Sequence, residues 1–334
     1  MIKLLSDSLK GYVSFFNSYL KRFFSSYLEP KDLYDASKHL LMAGGKRLRP
    51  FLVFQACRLV DGDEDAVMPA AVAVELIHNF TLIHDDIMDE DSLRRGVPTV
   101  HVLWNVPLAI LAGDLLFSKA FEAIFQCIES SVPYSRVLEA ARRLASSVSL
   151  IAEGQALDMG FEGKLSSVDE KDYLNMIHKK TAVLIKASCE VGALIGGGSS
   201  DQVEALSKYG ENIGMAFQMW DDILGVVADE KELGKPIGSD VKDAKCTLVL
   251  LHAFTHSDYD QRRLLLNYYG KKDLSRDELE SVVNLLRDVG SIDYVASLAK
   301  RYVNEAKEAL GIFPPSEAKS ILLELADYII ARSY

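Results

Sequence analysis

Asp85-Asp86-Ile87-Met88-Asp89 sets two carboxylates, Asp85 and Asp89, four residues apart. On a helix that spacing stacks them on one face. Like charges so placed repel one another, but they clamp a hard divalent cation well. Mg²⁺ takes oxygen ligands, keeps waters, and commonly binds one or two carboxylates together with a substrate phosphate. The cluster closes an apolar helical stripe (Val72, Leu76, Phe80, Ile83), so the carboxylates fall at the helix C-terminus. The macrodipole disfavours negative charge there. A solvated acidic helix end would explain one such cluster alone. A second follows at Asp221-Asp222-Ile223-Leu224-Gly225, again after an apolar helical stretch. Two clusters of this kind could face each other across a cavity in a bundle.

Cations accompany the acids. Gly44-Gly45-Lys46-Arg47-Leu48-Arg49-Pro50 puts Lys46 and Arg49 three apart. Arg94-Arg95-Gly96 follows the first acidic cluster, and Lys179-Lys180-Thr181 and Gly234-Lys235 flank the second. Arginine forks suit phosphate oxygens, and lysines add point charges. An acidic chain that places cations beside its carboxylates is suited to hold a polyanion through bridging metals, and diphosphate fits. Scattered surface ion pairs would account for each basic site singly but poorly for the set. His78 lies seven residues before Asp85 and shares its face. That position suits a ligand contact as well as a satisfied core histidine. His39, His84, His252 and His256 have no such placement and read as structural.

The elements that carry these residues are helical. Apolar residues recur at helical spacing almost throughout, as in Ile321, Leu322, Leu325, Ile329 and Ile330, and no run alternates as a strand would. Ser167-x-x-Glu170 and Ser275-x-x-Glu278 fit capping boxes, and Pro133 and Pro315 suit first helical turns. Breaks fall near 44–45, 61–65, 95–98, 161–166, 196–200 and 234–238. The pattern predicts ten or more helices in one all-α bundle, a single domain over 1–334 with a deep central cavity.

Composition excludes other classes. The net charge of −11 argues against nucleic acid as a partner. Cys57, Cys127, Cys189 and Cys246 lie far apart in apolar helical contexts, with neither disulfide nor zinc spacing. They read as buried small hydrophobes in a reducing compartment. The apolar stretch of MIKLLSDSLKGYVSFF is broken by charge, which makes a poor signal peptide. The most apolar window, 106–128, carries Asp114, Lys119 and Glu122, which argues against a transmembrane segment. The expectation is a cytoplasmic protein.

GGKRLRP at 44–50, HDDIMDEDSLRRGVPTVH at 84–101, GD at 113–114, EGQ at 153–155, KKT at 179–181, FQMWDD at 217–222 and ELGKPIGSD at 232–240 occur in that order. With them the chain resembles the trans-isoprenyl diphosphate synthases (polyprenyl synthetases) over roughly 30–330, and most of all the archaeal-type short-chain geranylgeranyl diphosphate synthases. The resemblance implies an all-helical homodimer that condenses isopentenyl diphosphate head to tail with allylic diphosphates and releases diphosphate. It implies three Mg²⁺ per active site, two held by Asp85 and Asp89 and one by Asp221. It assigns Lys46, Arg49, His78 and Arg95 to isopentenyl diphosphate. Arg94, Lys180 and Lys235 go to the allylic diphosphate. Thr181 and Gln218 lie near the developing allylic cation. Released diphosphate would take the proton. Gly225 departs from the pattern, which has a third aspartate there, and a weakened third metal site is the expected consequence.

Product length in such enzymes follows from the floor beneath the first cluster, here Phe80 with Thr81 beside it. One aromatic with a small neighbour resembles enzymes that stop at twenty carbons, geranylgeranyl diphosphate, with farnesyl diphosphate a shorter product. Helical geometry puts Phe80 ~7.5 Å below Asp85 along the axis but ~140° away in azimuth. Periodicity alone therefore leaves Phe80 equally suited to core packing. The rival readings are a longer-chain polyprenyl diphosphate synthase, a terpene cyclase or head-to-head synthase, a non-catalytic subunit of a heteromeric synthase, and a purely structural helical protein. A cyclase would lack GGKRLRP and the second aspartate cluster. A non-catalytic subunit would have lost some of the aspartates and cations that are intact here.

Overall fold

A computed structural model describes residues 3–26, 29–227 and 238–331. Apart from one two-residue ladder, the regular structure among them is helical. The α-carbon contacts divide the chain into two compact units.

The first unit comprises Met1–Val148, Leu184–Gly210 and Ala309–Glu324. It opens with α1 (Lys3–Phe23), whose buried Leu5, Leu9, Tyr12, Phe16 and Leu20 form one helical stripe. Burying each such side chain contributes about 1.5–3 kcal/mol. Then come α2 (Lys31–Met42), α3 (Leu48–Leu59), α4 (Met68–Met88), the short α5 (Val100–Leu103) and α6 (Val106–Phe125). Helix α4 is the centre of this unit. Every residue from Met68 to Ile77 is buried, so the helix meets neighbours all round. Small residues allow it: Ala70, Ala71 and Ala73 on α4, with Ala109, Ala112, Ala120 and Ala123 on its main partner α6, permit close packing. Beyond Ile77 the burial narrows to Asn79, Ile83 and Asp86. The opposite side of that last stretch is only half-buried.

The second unit comprises Ser149–Val183, Glu211–Glu308 and Leu325–Tyr334. Helix α7 (Tyr134–Phe161) supplies its C-terminal part to this unit. Next come α8 (Glu170–Ile177) and a π-helical turn over His178–Ala182, followed by α9 (Val183–Gly196), of which all but Val183 belongs to the first unit. Residues 211–227 of α10 (Ser200–Val227) belong here, as do α11 (Ser239–Lys242), α12 (Leu248–His256), α13 (Tyr259–Tyr268), α14 (Arg276–Asp288) and most of α15 (Ser291–Ala309). The last helix, α16 (Glu317–Ile330), belongs to the first unit up to Glu324 and to the second from Leu325.

Three local expectations change. The capping box of α8 is Asp169 with Asp172, and Ser167 lies outside it. Asp169 wins because its carboxylate accepts the Asp172 N–H at 2.8 Å while that residue answers in return. Pro133 and Pro315 precede their helices. The Pro133 carbonyl accepts the first α7 amides, and Ser316, not Pro315, caps α16 with its hydroxyl at 3.2 Å from Lys319 N. A minimal ladder, Leu93–Arg94 against Val97–Pro98, breaks the helical pattern. Its turn is Arg95-Gly96, both at positive φ (54° and 74°), the geometry of a two-residue hairpin. The box at Ser275 and Glu278 is as expected. All four cysteines are free and buried, and no described helix is long and apolar enough to cross a membrane.

Candidate active site

In the first unit, α4 ends at Met88 and Asp89 is its C-cap, donating its backbone N–H to Asp85 O at 2.8 Å. The carboxylates thus stand at the helix C-terminus, as the end of the apolar stripe predicts. His78, Thr81, Leu82, Asp85 and Asp89 fall on one half-buried face of α4. Asp86 points the other way, is fully buried and pairs with Arg94. Arg94 also reaches Asp91 at 3.0 Å, so carboxylates hold its guanidinium where the resemblance assigns it to diphosphate.

The 44–50 loop divides its cations. Lys46 is exposed and Arg49 half-buried. Arg47 turns inward at φ 52° and forms a buried ion pair with Glu75. Its other donors reach Asn17 Oδ1 (3.1 Å) and the Leu41 carbonyl. Glu75 is the one carboxylate in the apolar half of α4, and Asn79 donates to it at 3.0 Å. Arg95 locks the same loop. Its Nη1 donates to Gly44 O (2.6 Å) and Leu40 O (2.9 Å), and lies 3.4 Å from Asn79 Oδ1. Gly45, at φ +130°, has no side chain to collide with it: a Cβ there would lie 3.1 Å from the Arg95 Cζ.

Arg49 Nη1 lies 3.3 Å from His78 Nε2. Arginine has no acceptor, so Nε2 accepts and the ring carries its proton on Nδ1. Burial, then the charges of Arg49, Arg95, Arg94 and Arg47, hold His78 well below the ordinary histidine range. A neutral histidine thus orients Arg49 beside the acidic helix end. Thr81 donates back to His78 O at 2.8 Å. Phe80 meets His84 edge-on (5.0 Å between centroids) and Phe117 of α6 at 5.4 Å, and Phe117 meets Phe121. The aromatic contacts of Phe80 therefore extend across to α6. Of the histidines read as structural, His39 bonds to Pro98 O, His84 to Ile110 O, His252 to Ser291 Oγ and His256 to His252 O.

In the second unit, the π-turn presents Lys180 and Thr181. Gly154 of α7 packs against it so closely that a Cβ would lie 2.3 Å from Lys180 N. That contact accounts for the glycine of EGQ. Lys180 pairs with Asp158, one turn further along α7. Thr181 Oγ1 donates to Gln218 Oε1 (2.8 Å), and Gln218 Nε2 donates to Asp222 Oδ1 (2.9 Å). Tyr173 OH donates to the other Asp222 oxygen. The network joins Thr181 and Gln218. It rests on Asp222, which is fully buried and pushed up to about 8 by desolvation and the Asp240 charge. Asp221 is half-buried beside it. Lys235 lies outside the described residues.

Glu75, Asn79, Asp158, Tyr173 and Asp240 had escaped sequence reasoning. One signal was available for Asp158: it is four residues from Gly154 on the same helical face. The donor set fits Mg²⁺. Hard carboxylate oxygens at Asp85, Asp89 and Asp221 match its preference, and phosphate and water complete such a shell. Among the described residues no three His, Cys, Asp or Glu side chains converge into a closed cage. A cation shared with a diphosphate needs none.

The polyprenyl synthetase family model matches residues 30–286. The geranylgeranyl diphosphate synthase of Methanosarcina mazei is 47% identical over 305 residues, 91% of each chain. The solved geranylgeranyl pyrophosphate synthetase of Pyrococcus horikoshii superposes with a TM-score of 0.91 at 41% identity, over 99% of both chains. A polyprenyl synthase of Caulobacter crescentus, solved with calcium and isoprenyl diphosphate, superposes at 0.88 with 33% identity, over 100% of this chain and 98% of that one. This all-helical chain belongs to the polyprenyl synthetase family.

Proposed function

We propose that the protein is a Mg²⁺-dependent prenyltransferase that condenses isopentenyl diphosphate with an allylic diphosphate, with geranylgeranyl diphosphate as principal product. The observation that carries this reading is the half-buried face of α4, where His78, Thr81, Asp85 and Asp89 line up and His78 meets Arg49. Asp85 and Asp89 would hold two Mg²⁺ and Asp221 a third. Bound Mg²⁺ would neutralise the charge that grows on departing diphosphate. Arg49, set by neutral His78, binds the isopentenyl diphosphate with Lys46. Arg95 supports that loop through its bonds to Gly44 and Leu40. Lys180, anchored by Asp158, and Arg94 with Lys235 hold the allylic diphosphate. The Thr181 hydroxyl donates its hydrogen bond to Gln218 Oε1, which leaves the lone pairs of Thr181 Oγ1 to stabilise the allylic cation. The C–O bond to diphosphate breaks, the isopentenyl double bond attacks, and the proton lost passes to the released diphosphate.

Phe80 with Phe117 supports a floor at twenty carbons. The family match runs through residues of both units, which supports one catalytic domain over 1–334. Four free, buried cysteines support a cytoplasmic setting. Leu103, Val106, Ile110 and Phe117 are exposed on one face of α5–α6, a patch that suits a second copy in a homodimer.

The test is a product assay with Mg²⁺ and isopentenyl diphosphate, using dimethylallyl, geranyl and farnesyl diphosphate in turn. Accumulation at twenty carbons is expected, and Phe80→Ala should lengthen the products. Metal-dependent elongation past twenty carbons by the wild type would discard the floor. No product from any starter would discard the enzyme reading.

A further inference from the structure

Asp158 holds two lysines on one oxygen. Lys180 Nζ lies 2.5 Å from Asp158 Oδ2, and Lys245 Nζ lies 3.7 Å from the same atom. Asp158 is buried. Lys245 also pairs with Glu162, which is exposed just past the end of α7. The backbone beside Lys245 is fixed from two sides. Ala244 takes φ 52°, a conformation that a residue other than glycine keeps only where its surroundings impose it. Its carbonyl accepts two bonds, from Tyr269 OH at 2.6 Å and from Gly163 N–H at 3.0 Å. Gly270 N–H donates to Val241 O at 2.8 Å. The chain after α13 and the chain after α7 thus clamp 241–244. Burial raises the Tyr269 hydroxyl above its ordinary range, so it stays a donor.

Lys180 cannot serve Asp158 and a diphosphate equally. To reach phosphate oxygens, its ammonium gives up contact with Asp158, and a buried carboxylate that loses its cation is costly. We propose that Lys245 is a positioning residue that takes over Asp158 when Lys180 turns to the allylic diphosphate. Both ammoniums already meet Oδ2, so the exchange only closes a contact that now stands at 3.7 Å. Lys245 closes it by leaving Glu162, whose exposed carboxylate water then solvates. The clamp on Ala244 holds the backbone in place while the side chain moves. In this role Lys245 acts through Asp158 and touches no substrate. The inference rests on the reading of Lys180 as a diphosphate ligand.

The experiment measures the binding of geranyl diphosphate with Mg²⁺ by calorimetry, without isopentenyl diphosphate, and checks folding by circular dichroism. Lys245→Met should weaken binding about tenfold, because binding then strips Asp158 of both lysines. Lys245→Gln, a second neutral form, should do the same, and Lys245→Arg should stay within about threefold of wild type. In an Asp158→Asn background the amide needs no cation, and Lys245→Met should change binding by less than about twofold. An equal loss in both backgrounds would overturn the exchange and make Lys245 a direct contact to the diphosphate. Neutral variants within about twofold of wild type, with Lys180→Met strongly impaired, would overturn it as well. If Lys180→Met binds as wild type does, the diphosphate reading of Lys180 falls, and this inference with it.

Discussion

His78 is held neutral by its surroundings, and that has a pH signature. Burial and the facing charges of Arg49, Arg95, Arg94 and Arg47 keep its folded-state pKa below the ordinary value. In the unfolded chain it titrates near ~6.5. As pH falls through that value, the unfolded chain takes up a proton that the folded chain refuses. The stability present at neutral pH is therefore lost on acidification, at up to ~1.4 kcal/mol per pH unit, until the folded-state value is reached. Thermal unfolding of wild type and His78→Gln at pH 7.5 and 5.5 should show the larger drop in wild type; equal drops would contradict the assignment. At this scale the sequence carries much of the site. Asp85, Asp89 and His78 follow from helical spacing, and Arg49 from its place in the basic loop. The fate of Arg47 does not follow. Three cations in GGKRLRP look alike, and only the backbone at φ 52° decides which of them turns inward to Glu75. Asp240 closes ELGKPIGSD, but its place beside Gly225 was equally hidden, because fifteen residues separate the two.

Among elements, the contact between α7 and the π-turn is the most demanding. Gly154 faces backbone, with Lys180 N at 2.3 Å and Lys180 Cα at 2.7 Å from a Cβ placed there, and backbone cannot swing aside. Gly154→Ala should cost about 1–3 kcal/mol through overpacking. It should also raise KM for the allylic substrate, because the shift falls on Lys180 itself. Unchanged KM with lowered stability would mean that the turn relaxes without moving the lysine. Element type was legible almost throughout, since apolar periodicity is strong and breaks carry glycine, proline or acids. Starts were less so. At α8 the true cap, Asp169, lies two positions after Ser167, and both offer an oxygen; the choice of Asp169 depends on its reciprocal bond with Asp172. The ladder at Leu93–Pro98 is too short to produce an alternating pattern.

For the whole molecule, the exposed apolar face of α5–α6 has consequences in solution. Ile110 is 44% exposed and Leu103 48%. A charge at the centre of a face that buries a second copy would be expensive to desolvate. Ile110→Glu should move the protein from dimer to monomer in light scattering behind size exclusion, with little loss of helix. A wild-type monomer would remove this explanation for the patch. The all-α architecture was readable from composition and period alone. The partition of contacts into two units was not, because the units exchange segments of chain (Leu184–Gly210 belongs to the first and Ser149–Val183 to the second), and no linker marks the change.

The π-turn between α8 and α9 shifts the phase of the chain. Val183 N–H bonds to His178 O, five residues back instead of four. One residue more than the helix needs is held in that turn, and it offsets the two flanking helices by about 100° of rotation. A helical wheel drawn through 170–196 would therefore place Tyr173 and Thr181 wrongly relative to each other. Deleting a residue from 178–182 would restore regular hydrogen bonding and give a better helix. That better helix would carry Tyr173 away from Asp222 and break the chain of bonds that ends at Thr181. Any redesign that scores this segment for regularity will thus select against the site, and an alignment gap here marks a change of rotation, not only of length.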